Sequence, residues 1–120
     1  MPTRWILHKG ERILFEDFAD FGTDLEKARE ETMVAINLAI REPLDSILTL
    51  TDVHGTNASP EMFAVMRNAA AKIVPFARKR AVVGLSDVQR VFIDMLNLLS
   101  KKKTFTLFKS IEDAKDWLVR

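Results

Sequence analysis

The spacing of apolar positions changes several times along the chain, and each change predicts an element. Arg4-Trp-Ile-Leu-His8 and Glu11-Arg-Ile-Leu-Phe15 flank Lys9-Gly10. Two short apolar runs around a two-residue turn predict a β-hairpin, with Gly10 supplying the positive φ. That register sets Ile6 opposite Ile13 and His8 opposite Glu11, which makes His8 a rim residue beside a carboxylate. Thr23-Asp-Leu-Glu26 reads as a capping box opening a helix, which runs to about Arg41 before Glu42-Pro43 breaks it. Its first half sets Leu25, Ala28 and Thr32 on one face. Its second half, Met33 to Ile40, is apolar almost all round, the profile of a helix that is deeply buried or packs on two sides. Burial within the domain is one reading of that stretch; a homodimer contact through Met33 or Leu38 is the other.

Leu44 to Glu61 is the stretch around which the rest is organised. It reads as a buried strand (Ile47 to Thr51), a polar turn (Asp52 to Ala58) and a helix start at Ser59-Pro60-Glu61. Ser59 is the expected N-cap, and Pro60 stands at the first helical position, where a missing N–H costs nothing. The helix covers 60–74, with Met62, Val65, Met66, Ala69 and Ile73 facing inward, and Pro75 ends it. Arg78-Lys79-Arg80 then leads into Ala81 to Leu85, an apolar run suited to a parallel strand covered on both faces. Ser86-Asp-Val-Gln89 is a second capping box. It opens a helix over about 87–100, with Val88, Val91, Phe92, Met95, Leu96 and Leu99 at helical spacing, closed by Lys101-Lys102-Lys103. Thr104 to Phe108 alternates as an outer strand does. Ser110 caps a last helix with Ile111, Ala114, Trp117 and Leu118 inward. The predicted fold is α/β: a mixed, mainly parallel sheet of about five strands, an N-terminal hairpin and four helices, in one domain over residues 1–120.

Composition narrows this without redirecting it. An apolar share of 48% and a charged share of 29% are ordinary for a globular domain. The absence of cysteine excludes disulfides and thiolate chemistry. The N-terminus lacks the apolar core of a signal peptide, and no apolar run reaches the ~18 residues of a membrane span; a cytoplasmic protein is expected. The net charge of +1 conceals an asymmetry, because residues 67–103 carry +7 and the remainder −6. Such a basic segment marks either an anionic partner or a solvated basic face.

Motifs of catalysis are missing. The chain has no Walker loop, no Gly-x-Gly-x-x-Gly and no Gly-x-Ser-x-Gly elbow. Its two histidines, His8 and His54, lack zinc-site spacing. No cofactor is implied, and nothing resembles a groove-reading element for specific nucleic-acid binding. What remains is polar residues at strand ends. If the central strand and the Val82 strand are parallel neighbours, the helix starts at Ser59 and Ser86 converge, and their N–H groups favour an anion. The candidate ligand-binding residues are Asp52, His54, Thr56, Asn57, Ser59 and Ser86. The same residues have structural duties: Ser59 and Ser86 as caps, Asp52 and Asn57 as turn formers.

The order of Leu48-Thr-Leu-Thr-Asp52, Ser59-Pro60-Glu61, Ala81-Val-Val-Gly84 and Phe108 to Leu118 resembles the STAS-like group. These are small bacterial proteins similar to anti-sigma-factor antagonists, with a distant likeness to lipid-binding CRAL-TRIO domains. The resemblance covers nearly the whole chain through loose motifs. It implies a mainly parallel mixed sheet and no intrinsic enzymatic activity. In anti-sigma-factor antagonists a serine at the start of the helix after the central strand, within Asp-Ser-Ser-Gly, is phosphorylated by a partner kinase. Here the match is Asn57-Ala58-Ser59-Pro60, so only Ser59 carries over as a phosphoacceptor candidate. The expected function is a non-enzymatic binding or regulatory module taking a protein partner or a small anionic ligand at the strand ends. A lipid or apolar small-molecule carrier is the alternative, and a hydrolase built on Asp52 and His54 lacks an evident nucleophile.

Overall fold

A computed structural model describes residues 3–99 and 104–120. The elements are β1 (Arg4–His8), β2 (Glu11–Asp17), α1 (Leu25–Ala39), β3 (Ile47–Asp52), α2 (Pro60–Ile73), a 3-10 turn (Val74–Phe76), β4 (Ala77–Val83), α3 (Asp87–Leu99), β5 (Phe105–Phe108) and α4 (Ile111–Leu118). The strands form one sheet in sequential order β1-β2-β3-β4-β5. β1 and β2 are antiparallel, and every other neighbouring pair is parallel. This is the expected α/β architecture, with β3 at its centre.

The hairpin register is the one read from sequence: Ile6 pairs with Ile13 and His8 with Glu11. Lys9 (φ 51) and Gly10 (φ 82) both have positive φ, the type I′ geometry that matches strand twist. His8 has a different carboxylate partner from the one expected. Its Nε2 lies 2.7 Å from Asp116 Oδ1 on α4, which fastens the hairpin end to the last helix.

Sequential parallel strands fix the layers. Each β-α-β crossover takes the same hand, so helices joining strands added in one direction land on one face. α1 and α2 bury Ala28, Ala35, Ile36, Met62, Ala69 and Ile73 there, against Leu14, Ile47 and Val82 of the sheet. α3 reaches the same face through Gln89 and Ile93. On the opposite face Ile13, Phe15, Leu48, Leu50, Ala81 and Val83 are covered by Ala114 and Leu118 of α4.

Several boundaries differ from expectation. The N-cap of α1 is Asp24, not Thr23: Asp24 Oδ1 accepts from Lys27 N at 3.1 Å. Gly22 is held by Gly55 and Asn57, which leaves Thr23 exposed before the helix begins. α1 ends at Ala39 rather than near Arg41, with Glu42 N bonded to Ala39 O. Its second half is not buried all round, since Met33 and Ile40 are half-exposed. β4 begins at Ala77, so Arg78-Lys79-Arg80 is strand and not a lead-in. On α3, Val91 is exposed rather than inward. The Lys101–Lys103 run lies outside the described residues, as do the side chains of Val88, Phe92, Met95, Leu96 and Leu99.

Candidate functional site

Three loops meet at the carboxyl ends of β2, β3 and β4. The strand order never reverses within the parallel part of the sheet, so there is no topological switch crevice of the kind that hosts ligands in doubly wound folds. A groove forms instead between two adjacent strand-to-helix turns. It encloses about 490 Å³, and Asn57, Ser59, Gly84, Ser86 and Gln89 are among its lining residues. Four of the six candidate residues line it: Thr56, Asn57, Ser59 and Ser86. Asp52 and His54 stand beside it.

The loops are joined by backbone hydrogen bonds. Phe18 N donates to Asp52 O at 2.9 Å, Asp20 N to His54 O at 2.7 Å, Gly22 N to Gly55 O at 3.0 Å and Asn57 N to Gly22 O at 2.9 Å. Val53 N donates to Val83 O at 3.1 Å, tying in the third loop. Thr56 is structural here. It is buried, its hydroxyl donates to Phe18 O at 2.6 Å, and it accepts from Phe21 N at 3.2 Å. The Thr56 hydroxyl therefore both donates and accepts within the loops.

Asp52 is the last residue of β3 and is buried, not part of an open turn. Its Oδ1 accepts from His54 N at 3.1 Å and lies 2.8 Å from His54 Nδ1. His54 is more than half exposed, and its Nε2 approaches Asp20 Oδ2 at 3.4 Å. The hydrogen bond that His54 makes to the Asp52 carboxylate, then the Asp52 charge, raise the His54 pKa above its ordinary value, with Asp20 and Asp17 adding to the effect. The imidazole is thus a clasp between two loops, favouring its charged form. Asp52 and His54 are paired with each other, and each is held by loop structure.

Ser59 and Ser86 are caps. Ser59 Oγ accepts from Met62 N at 3.1 Å. Ser86 Oγ accepts from Gln89 N at 3.3 Å, while Ser86 N donates to Gln89 Oε1 at 2.8 Å, a complete capping box. The Gln89 amide nitrogen then donates to Val53 O and to Thr56 O. Gln89 therefore clips the start of α3 to the turn after β3. Its position in Ser-x-x-Gln was visible in sequence, but its second role was not. Acidic side chains, Glu61 on α2 and Asp87 on α3, occupy the first turns of both helices. They offset the helix dipoles that would attract an anion.

Sequence reasoning missed a second group of polar residues below the rim. Glu16, Thr51 and Arg80 lie on the sheet face covered by α2 and α3, and all three are buried. Glu16 pairs with Thr51 across the β2–β3 ladder, and Arg80 sits on β4 opposite Thr49. Burial pushes the Glu16 carboxyl up to about 7, against the opposing pull of Arg80 and Thr51. Burial likewise lowers the Arg80 guanidinium to about 10. The signal in sequence was period two: extending the Val82 strand backwards puts Arg80 on Val82's face, and Glu16 follows Leu14.

Among the described residues no group of His, Asp and Glu has the arrangement of a metal site. No helix among them is long and apolar enough to cross a membrane. No protein-family model, curated protein or solved structure matches the chain.

Proposed function

We propose that the chain is a non-enzymatic, cytoplasmic binding module of STAS-like kind, which docks a protein partner on the rim at the carboxyl ends of β2, β3 and β4. One observation carries this reading: hydrogen bonds between three separate loops make the rim a single preformed surface. A surface ordered before binding loses little entropy when a partner arrives. Loops on a rigid scaffold are also where recognition is usually placed. His54, Asn57 and Ser86 supply its outward side chains.

A protein partner is favoured over a free small anion, because Asp17 and Asp20 act on His54 from the same rim and Glu61 and Asp87 head the two helices. Part of the basic segment's charge is turned inward: Arg80 is buried and Lys79 is turned to α4, its Nζ 2.8 Å from Trp117 O. Specific nucleic-acid binding is not part of the reading. Ser59, which lines the groove, is the residue at which a phosphate would alter docking, by adding charge beside Glu61 and releasing the cap on Met62 N.

Asn57→Arg tests the reading. Asn57 is exposed and its side chain makes no hydrogen bond among those described, so the variant should melt with the wild type. Partner capture from the native host should fall at least tenfold, while Lys72→Glu, on the last turn of α2, leaves it intact. Equal capture by both variants would place the docking surface elsewhere.

A further inference from the structure

Below the rim, between the sheet and helices α2 and α3, lies a cavity of about 80 Å³. Its walls include Met62, Phe63, Met66, Val82 and Ile93. Glu16 and Arg80 are the only charged residues that line it among the described residues. They reach it from β2 and β4, with Thr51 of β3 between them. Both are deeply buried, 5% and 6% exposed.

These groups are arranged as a polar floor under an apolar chamber. Arg80 is held in place, its Nη2 3.5 Å from Ala70 O and its guanidinium 3.8 Å from the centre of the Phe105 ring. Thr51 Oγ1 is buried and makes no full hydrogen bond. The Glu16 carboxyl has that hydroxyl beside it and the Arg80 charge across β3. Burying a carboxyl, a hydroxyl and a guanidinium at a sheet–helix interface carries a desolvation cost. Apolar residues would stabilise the same positions better, and exceptions of this sort concentrate at functional sites.

We propose that the cavity binds a small aliphatic carboxylic acid, with its carboxyl group set among Glu16, Thr51 and Arg80 and its alkyl end among Met62, Met66 and Ile93. Charge selects this class. A ligand carboxyl and Glu16 share one proton, so with the Arg80 cation the chamber sums to zero. An amine would add a second cation beside Arg80. An alcohol offers one oxygen where three polar groups converge, whereas a carboxyl offers two. Size limits the alkyl part: an engineered apolar cavity of about 150 Å³ admits benzene, so a chamber this size takes a short or branched chain and not a lipid acyl chain. The two methionines let the walls adjust to branching. The cavity and the groove above share Thr56, Asn57, Ala58 and Gln89, whereas Glu16, Thr51 and Arg80 line the cavity alone, so variants at these three separate binding here from docking at the rim.

The test is a titration of the labelled protein with sodium butyrate at constant ionic strength, followed by amide and methionine-methyl NMR. Sodium chloride and butyramide serve as comparison solutes. Saturable shifts are expected at the Met62 and Met66 methyls and the Glu16 and Thr51 amides, with a Kd on the order of millimolar for so small a ligand. Glu16 must carry the shared proton, and among the described residues no other titratable group except Arg80 faces it in the chamber. Its raised pKa therefore makes binding about tenfold weaker at pH 8 than at pH 6. Glu16→Gln keeps a donor of the same shape, so it should retain binding and lose that pH dependence. Ala70→Leu narrows the chamber from α2 and should abolish binding. Shifts that fail to saturate, butyramide binding as tightly as butyrate, or equal butyrate affinity at both pH values would each overturn the assignment.

Discussion

Glu16 shows how one residue can make stability depend on pH against the usual trend for carboxylates. Its folded pKa is raised from 4.5 to about 7, chiefly by burial. A raised folded value means that the native state holds the proton more tightly than the unfolded chain. The associated stability is fully present below about 4.5 and is lost as pH rises through 7. A shift of that size corresponds to about 3 kcal/mol. Glu16→Gln has no such loss. Urea unfolding of both proteins should show the stability difference moving in the variant's favour by about 3 kcal/mol between pH 4.5 and pH 8. Parallel pH profiles would mean that Glu16 is ionised and well solvated. At this scale the sequence was least informative. Ser59 and Ser86 could be read as caps because a cap is a local contact, three residues from donor to acceptor. The Glu16–Thr51–Arg80 group depends on register between three strands, which no local pattern encodes. Asp52 could be assigned to the site region but not to its buried position, because a strand's last residue and a turn's first residue look alike in sequence.

At the scale of elements, legibility followed the strength of local signals. The hairpin and its register, the start of α2 and the capping box of α3 were all readable, since turn chemistry and N-caps act within a few residues. The start of β4 was hidden because its first residues are charged for reasons that lie outside the strand. Arg78 is solvent-exposed, Lys79 packs over the Trp117 ring on α4, and Arg80 enters the interior on the other side. The α1 cap shifted by one residue because Asp24 caps as well as Thr23, and the fastening of Gly22 to the neighbouring loop decided between them. The turn after β4 carries its own constraint. Gly84 has φ +84, and a Cβ there would lie 2.6 Å from His54 N and 2.8 Å from Asp52 Oδ1. Gly84→Ala therefore meets both an unfavourable backbone and a clash with the loop that holds His54. A loss on the order of 2 kcal/mol is expected by denaturant unfolding, together with altered His54 ring resonances. Gly10→Ala, at similar φ with open space around it, should perturb no His54 signal. If both variants leave His54 unchanged, the packing of Gly84 against Asp52 and His54 is looser than the structure has it.

The whole molecule is asymmetric about its sheet. Three sequential crossovers place α1, α2 and α3 on one face, and α4, a helix of eight residues, is what the described residues set against the other. The apolar run of Ala81 to Leu85 pointed to a strand covered on both faces, yet it could not assign helices to faces. That assignment comes from strand order and crossover hand. α4 is too short to be stable alone, so its docking must hold it. Leu118 and Ala114 are buried against Ile13, Leu48, Leu50 and Val83, and Phe108 lies 5.3 Å from Trp117 between ring centres. Lys79 Nζ reaches Trp117 O, and His8 reaches Asp116. One small helix therefore closes a full core layer, and its loss would expose Leu48 and Leu50 on the central strand. Leu118 is 1% exposed. Leu118→Ala removes buried methyl groups from that layer and should cost about 2–5 kcal/mol, a large part of the roughly 5–15 kcal/mol that holds a domain of this kind. Leu7, 74% exposed on the edge strand, gives the comparison: Leu7→Ala should stay within about 0.5 kcal/mol of the parent protein. Urea midpoints measured on both variants decide the matter. A small effect of Leu118→Ala, with unfolding still a single transition, would show that the second face of the sheet is stable without α4 and that the helix is an accessory to the core.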